Sequence, residues 1–246
     1  MTESMIEHEV EGPIARITLN DPRRGNALSR AGVADLRRAI AAIPGSVELI
    51  VLRGAGGRAF CGGVNSPEMV ALPAEERRTS LTELTNACFD LWDHKALTVA
   101  VLDGYAIGGG AHLAMACDLR VMAPEAFLQF PSSGYGLNIT TVWLTLLCGP
   151  SNAAWLMGSA RRVPAPEALR LGLTQVVAPG DEALAALGLA GRTGFHELKA
   201  AIREAIPPHV AGALRAEQAR ARELVGLDRF VNSLGQERSA KGGAKQ

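Results

Sequence analysis

No two of the four cysteines, Cys61, Cys88, Cys117 and Cys148, stand in a Cys-x-x-Cys pair. That spread argues against a zinc site and against a disulfide framework, so no metal is expected and the thiols should be reduced and partly buried. Charge of one sign is missing too: 25 Lys plus Arg balance 25 Asp plus Glu, giving a formal net charge of zero. No global field draws the chain to nucleic acid or to an acidic surface, so an anionic ligand must be held by local groups. No apolar run is long enough for a membrane span, and the start, MTESMIEHEVEG, carries acid where a targeting peptide would carry positive charge. The expectation is a soluble, cytoplasmic protein. Nucleotide signatures are absent as well: GGGAHL lacks GxGxxG order, and there is neither a GxxxxGK[ST] loop nor a GxSxG elbow.

What the chain does have is 246 residues, 48% of them hydrophobic, enough for one large core. IEHEV and IARITLN flank Gly12-Pro13 and predict a hairpin. Ser29 then caps a helix whose Val33, Leu36 and Ile40 share a face. VELIVLRGAG and LTVAVLDG read as buried strands, the second running straight into Gly108-Gly109-Gly110, and LRVMAP and LTQVVAP read as later strands. Between them, PAEERRTSLTELTNACFDLWDHK is helical, with Leu81, Leu84, Cys88 and Leu91 on one side. Strands that feed helices through glycine-rich ends indicate α/β architecture. The expected organisation is a core over residues 1–180, a helical region over 181–238 broken at Pro207-Pro208, and a disordered tail over 239–246.

Two glycine stretches carry most of the chemistry. AFCGGVNSPEM leaves a strand through Gly62-Gly63 and exposes the amide of Val64; Gly108-Gly109-Gly110 opens a helix whose first amides lack intrahelical partners. If the two loops converge, an amide from each makes a two-donor hole for an oxyanion. Taken alone, either run also reads as a tight turn or as close helix packing.

Four separated segments, ITLNDPRRGNALS, AFCGGVNSPEM, VAVLDGYAIGGGAHLAMACDLRVMAPEAFLQFP and ARRVPAPEALRLGLTQVVAP, resemble the enoyl-CoA hydratase/isomerase family, the crotonases, over about residues 5 to 180. The resemblance implies a spiral of strand-strand-helix units with a helical C-terminal region that builds homotrimers or hexamers. It implies an acyl-CoA or enoyl-CoA thioester as ligand, coenzyme A entering only as part of the substrate. The two donor amides it implies belong here to Val64 and Gly109, flanked by Gly62, Gly63 and Gly108. Arg23 and Arg24, with Ala27 nearby, match the segment that skirts the coenzyme A phosphates and adenine in relatives; a solvated basic pair after a turn is the other reading.

The sequence departs from the family at its two carboxylates. The glutamate that hydratases place two residues after the triple glycine is His112 here, and the second falls on Pro131 or Ser132 in FLQFPSSGYG. This resembles a subgroup of the family that lacks both glutamates. His112 stands on a helix's first turn, whose positive end favours a neutral ring able to accept a proton; packing beside Met115 is the alternative. Ser132, Ser133 and Tyr135 are candidate orienting groups, or turn residues whose Gly134 and Gly136 supply unusual backbone angles. Glu68 and Asp93 are further candidate carboxylates, the first also a helix cap and the second also a solvated helix end. In NITTVWLTLL, Trp143, Leu144 and Leu147 are candidates to wall an acyl tunnel, or core. Two functions stay open: a lyase- or isomerase-type enzyme with atypical catalytic residues Val64, Gly109 and His112, and a non-catalytic acyl-CoA carrier or sensor.

Overall fold

The structure is a computed structural model and describes residues 5–137, 139–220, 223 and 227–233. Strands β1 (Ile6–Glu11) and β2 (Ile14–Leu19) form the expected antiparallel hairpin, with Gly12 turning at φ 56°. Helix α1 (Arg30–Ala41) follows; the Ser29 hydroxyl accepts the Gly32 amide at its start, and Val33, Leu36 and Ile40 are buried on one face.

From there the chain repeats strand, strand, helix. β3 (Leu49–Gly54) and β4 (Ala59–Cys61) lead into α2 (Ser66–Ala71) and α3 (Ala74–Asp93). β5 (Leu97–Leu102) and β6 (Tyr105–Ile107) lead into α4 (Gly109–Ala116), and β7 (Leu119–Met122) and β8 (Phe127–Gln129) lead into α5 (Thr141–Ser159). β9 (Arg162–Pro164), α6 (Ala165–Arg170) and β10 (Val176–Val177) complete the spiral. The first strand of each turn joins a six-stranded sheet, β1-β2-β3-β5-β7-β10, and the second joins a four-stranded sheet, β4-β6-β8-β9.

The central strands of the large sheet, β3 and β5, are buried on both sides, which their side-chain alternation shows directly. Leu49 and Val51 of β3 and Leu97, Val99 and Val101 of β5 face one apolar cluster, while Ile50, Leu52, Ala100 and Leu102 face the main core. The first cluster is covered by α7 (Gly180–Ala186) and by Phe195 at the start of α8 (Phe195–Ala205). α9 (Pro208–Arg220) begins at the expected proline break, and residues 227–233 are again helical. Residues 234–246, with the tail expected to be disordered, lie outside the described residues.

One strand departs from the sequence expectation. LTVAVLDG does not run into the triple glycine: β5 ends at Leu102, and β6, in the other sheet, delivers the chain to Gly108. Three residues are too short to display a period of two, so this strand is invisible to pattern reading. The crossing is tight, because a Cβ on Gly104 would stand 2.1 Å from the Arg58 carbonyl oxygen.

All four cysteines are free, and no group of three or more potential metal ligands occurs among the described residues. Among those residues, no helix is long and apolar enough to cross a membrane.

Candidate functional site

Helix α4 is buried from Gly110 to Ala116 and apolar apart from His112, so it is a core helix whose N-terminal part alone reaches a cavity. Its far end is fixed by the buried Arg120, which donates to the Ala114, Cys117 and Leu173 carbonyls. Burial pulls that guanidinium down to about 10, which leaves it charged at neutral pH. The near end packs directly on β4. A Cβ on Gly110 would lie 2.0 Å from the Cys61 carbonyl oxygen, so only glycine lets helix and strand approach this closely.

The two glycine loops converge there. Gly63, at φ 93°, lies against the start of α4: a Cβ on it would meet the Ile107 carbonyl oxygen at 2.8 Å and the Gly109 nitrogen at 3.2 Å. Neighbouring amides are engaged, Gly62 with the Gly25 carbonyl, Asn65 with Leu28 and Gly108 with Gln129. The amides of Val64 and Gly109 donate to no protein acceptor among the described residues. Gly62, Gly63, Val64, Gly108 and Gly109 all border a cavity of about 480 Å³.

The other walls come from three directions. α3 contributes Leu81, Leu84, Thr85 and Cys88; a 3-10 turn over Pro131–Tyr135 contributes Pro131, Ser132 and Tyr135; beyond it stand Leu137, Ile139 and Phe230. Tyr135 and Phe230 pack ring to ring with centroids 5.3 Å apart. No Asp or Glu lines the cavity among the described residues. Burial raises the Cys88 thiol well above its ordinary value, so it stays protonated and is no nucleophile.

His112 lines the cavity and is 4% exposed, with its Nε2 buried and unpartnered. Burial lowers the imidazole from 6.5 to about 3, so the ring is neutral, as its helix position suggests. A ring that releases its proton so readily is also a weak general base, because efficient proton transfer needs a pKa near the working pH. The same burial has a stability consequence. Above about pH 6.5 neither folded nor unfolded imidazole is charged; between pH 6.5 and 3 only the unfolded chain takes up the proton, so stability falls with pH. The His112 contribution is expected at about 1.4 kcal/mol per pH unit over that window. Urea unfolding at pH 7 and pH 5 checks it: His112→Leu should show a shallower loss than the native chain, and equal losses would refute the assignment.

Several sequence candidates take other places. Trp143 is 1% exposed and packs against Phe89 and Trp92, off the cavity wall; Leu144 is likewise core, and Leu147 packs against it. The cavity wall on this side is instead Leu137 and Ile139, just before α5, because the start of that helix turns its large apolar side chains inward. Arg23, Arg24 and Ala27 do not line the cavity. They adjoin its rim through Gly25, whose carbonyl holds the Gly62 amide; Arg24 pairs with Asp21, and both arginines are exposed. Gly136 has the unusual backbone angle expected, at φ 81°, whereas Gly134 does not. Glu68 accepts the Arg30 amide at the start of α1, and Asp93 pairs with Arg215, so neither carboxylate serves the cavity. Sequence reading missed Arg162, an exposed cation at the cavity that stacks on Phe127, and Phe230, which reaches the cavity from 98 positions beyond Ser132 in the chain. Neither carries a local signal.

A sequence model described as enoyl-CoA hydratase/isomerase matches residues 9–224. The chain is 33% identical over 219 residues to the Bacillus subtilis protein YngF, an alignment covering 83% of this chain and 84% of that one. It is 32% identical over 182 residues to the crotonyl-CoA hydratase of Syntrophomonas wolfei, covering 72% and 70%. An enoyl-CoA hydratase/isomerase crystal structure from Xanthobacter autotrophicus Py2 superposes with a TM-score of 0.83 at 28% identity, covering 98% of this chain and 97% of that one.

Proposed function

The chain belongs to the enoyl-CoA hydratase/isomerase family, and on that premise we propose that its cavity binds acyl-CoA or enoyl-CoA thioesters, the Val64 and Gly109 amides donating together to the thioester oxygen. The observation that carries this reading is the pair of unengaged amides on abutting glycine loops at a cavity mouth. Charge that gathers on a thioester oxygen when the α-carbon loses a proton, or when a nucleophile adds to the conjugated double bond, would meet dipoles already in place. The apolar side chains of Leu81, Leu137, Ile139 and Phe230 suit an acyl chain, and Arg162, Arg23 and Arg24 are the cations available to coenzyme A phosphates.

Water addition by a pair of carboxylates has no candidates here, because no acidic side chain lines the cavity among the described residues. An enzyme at this site would use His112 as its acceptor of protons. The second reading, a non-catalytic acyl-CoA carrier or sensor, is favoured by that ring's low proton affinity. One experiment separates them. Crotonyl-CoA is mixed with the protein, loss of the conjugated thioester absorbance is followed, and binding is measured by calorimetry. Binding without turnover supports the carrier; turnover that falls about 100-fold or more in His112→Ala supports the enzyme. Absence of any binding defeats the shared reading.

A further inference from the structure

Glu217 is a buried carboxylate on a helix that sequence patterning marks only as part of a C-terminal helical tail. It is 2% exposed, and its two oxygens accept the Thr140 amide at 2.7 Å and the Val142 amide at 3.0 Å. These amides open α5, where a helix has no acceptors of its own and is normally served by the side chain just before it. Here that residue is Thr140, whose hydroxyl makes no cap and is buried without a partner, as is the hydroxyl of Thr141. A carboxylate 77 positions later in sequence performs the capping instead.

The capped residue is itself unusual. Thr140 sits at φ 70° and ψ 5°, a left-handed conformation that a β-branched side chain rarely adopts and that persists only where the surroundings hold it. Immediately before it stand Leu137 and Ile139, which line the cavity. On its other side α9 is tied to the opposite wall: Arg215 pairs with Asp93 and Gln218 donates to Asn86, both on α3. Burial raises the Glu217 carboxyl while the amides of Val142, Thr140 and Thr141 and the charge of Arg220 lower it.

We propose that Glu217 is a positioning residue of the acyl-binding wall: by holding Thr140 in its left-handed conformation, it fixes Leu137 and Ile139 against the acyl chain. The acyl part of this inference rests on the thioester-binding reading above. Glu217→Gln keeps the size but turns an NH2 toward one of two amides, so one hydrogen bond is lost. Affinity is expected to fall about 10-fold for octanoyl-CoA, and to stay within about twofold for free coenzyme A, which does not touch this wall. Thr140→Gly in the Glu217→Gln background, which removes the side chain that makes the conformation costly, should recover most of the octanoyl-CoA affinity. A uniform loss for both ligands, or no recovery with glycine, would overturn the positioning role.

A second measurement needs no ligand. Hydrogen exchange at the Thr140 and Val142 amides should quicken about 10-fold or more in Glu217→Gln while that of α3 stays unchanged. Unchanged exchange at Thr140 and Val142 overturns the proposal even if the native chain binds acyl-CoA. Quickened exchange in a protein that binds no acyl-CoA keeps the clasp and rejects the thioester reading instead.

Discussion

Gly63→Ala is expected to weaken butyryl-CoA binding about 100-fold, while Gly62→Ala, one residue earlier, weakens it little. At Gly63 the added methyl would stand 2.8 Å from the Ile107 carbonyl oxygen and 3.2 Å from the Gly109 nitrogen, and φ is 93°. All of those neighbours are backbone, so no side-chain rotation relieves the overlap and the two loops must move apart. On the thioester-binding reading proposed above, the donors at 64 and 109 would then no longer converge on one oxygen. Losing two hydrogen bonds to a desolvated oxygen, each at about 1–1.5 kcal/mol, accounts for the expected size. If the thioester is also turned over, the effect on rate should be larger, because a hydrogen-bond donor to developing charge is worth about 3 kcal/mol. At Gly62 the nearest atom to an added methyl is the Gly25 carbonyl oxygen at 3.3 Å, and a shift of a few tenths of an ångström suffices. Calorimetry with butyryl-CoA and with free coenzyme A makes the comparison. Equal effects of the two substitutions, or undiminished thioester binding in Gly63→Ala, would mean that the ligand oxygen lies elsewhere.

Asp118→Ala should cost about 3–5 kcal/mol of folding stability, the largest loss expected from any single charge removal here. The carboxylate accepts the Thr98 amide and hydroxyl at 2.8 Å each, the Lys199 ammonium at 2.8 Å and the Arg203 guanidinium at 2.6 Å. Lys199 is buried, its remaining partners being the Leu91 and Ala96 carbonyls, and burial already lowers its pKa with Asp118 as the chief opposing influence. Without Asp118 the ammonium is left in the interior with dipoles alone. The pH dependence follows in sign. A lysine with a depressed folded pKa destabilises the fold at pH values below that pKa and ceases to do so as pH rises toward its ordinary 10.5. The deficit of Asp118→Ala should therefore shrink between pH 7 and pH 10. Arg215→Ala provides the contrast: it breaks an ion pair whose members are about half exposed, and should cost no more than about 1 kcal/mol. Urea midpoints for the two variants test the ranking, and a deficit for Asp118→Ala as small as that for Arg215→Ala would remove the network from the account.

Much of the local structure follows from neighbours in sequence. The hairpin about Gly12, the Ser29 cap and the buried face of α3 each depend on residues within a turn or two, and each is found where the pattern puts it. Short strands were harder: β6, β8 and β9 have three residues apiece and acquire their identity from the sheet they join. For the cavity, the glycine loops were legible because backbone that must approach backbone demands glycine. Trp143 was not, since an apolar residue on a helix looks the same whether it faces a ligand or Phe89.

By itself, then, the sequence placed two glycine stretches, at 62–63 and 108–110, with His112 on the first turn after the second, because glycine and helix-start positions are properties of a few consecutive residues; the choice of Val64 and Gly109 as the donor pair came from the family resemblance. Only the tertiary structure decided that the two loops abut, that His112 is held neutral with a pKa near 3, and that Phe230 and the Glu217-capped segment close the far wall. Desolvation and long-range capping depend on what surrounds an atom in space, and those surroundings come from residues scores of positions away in the chain.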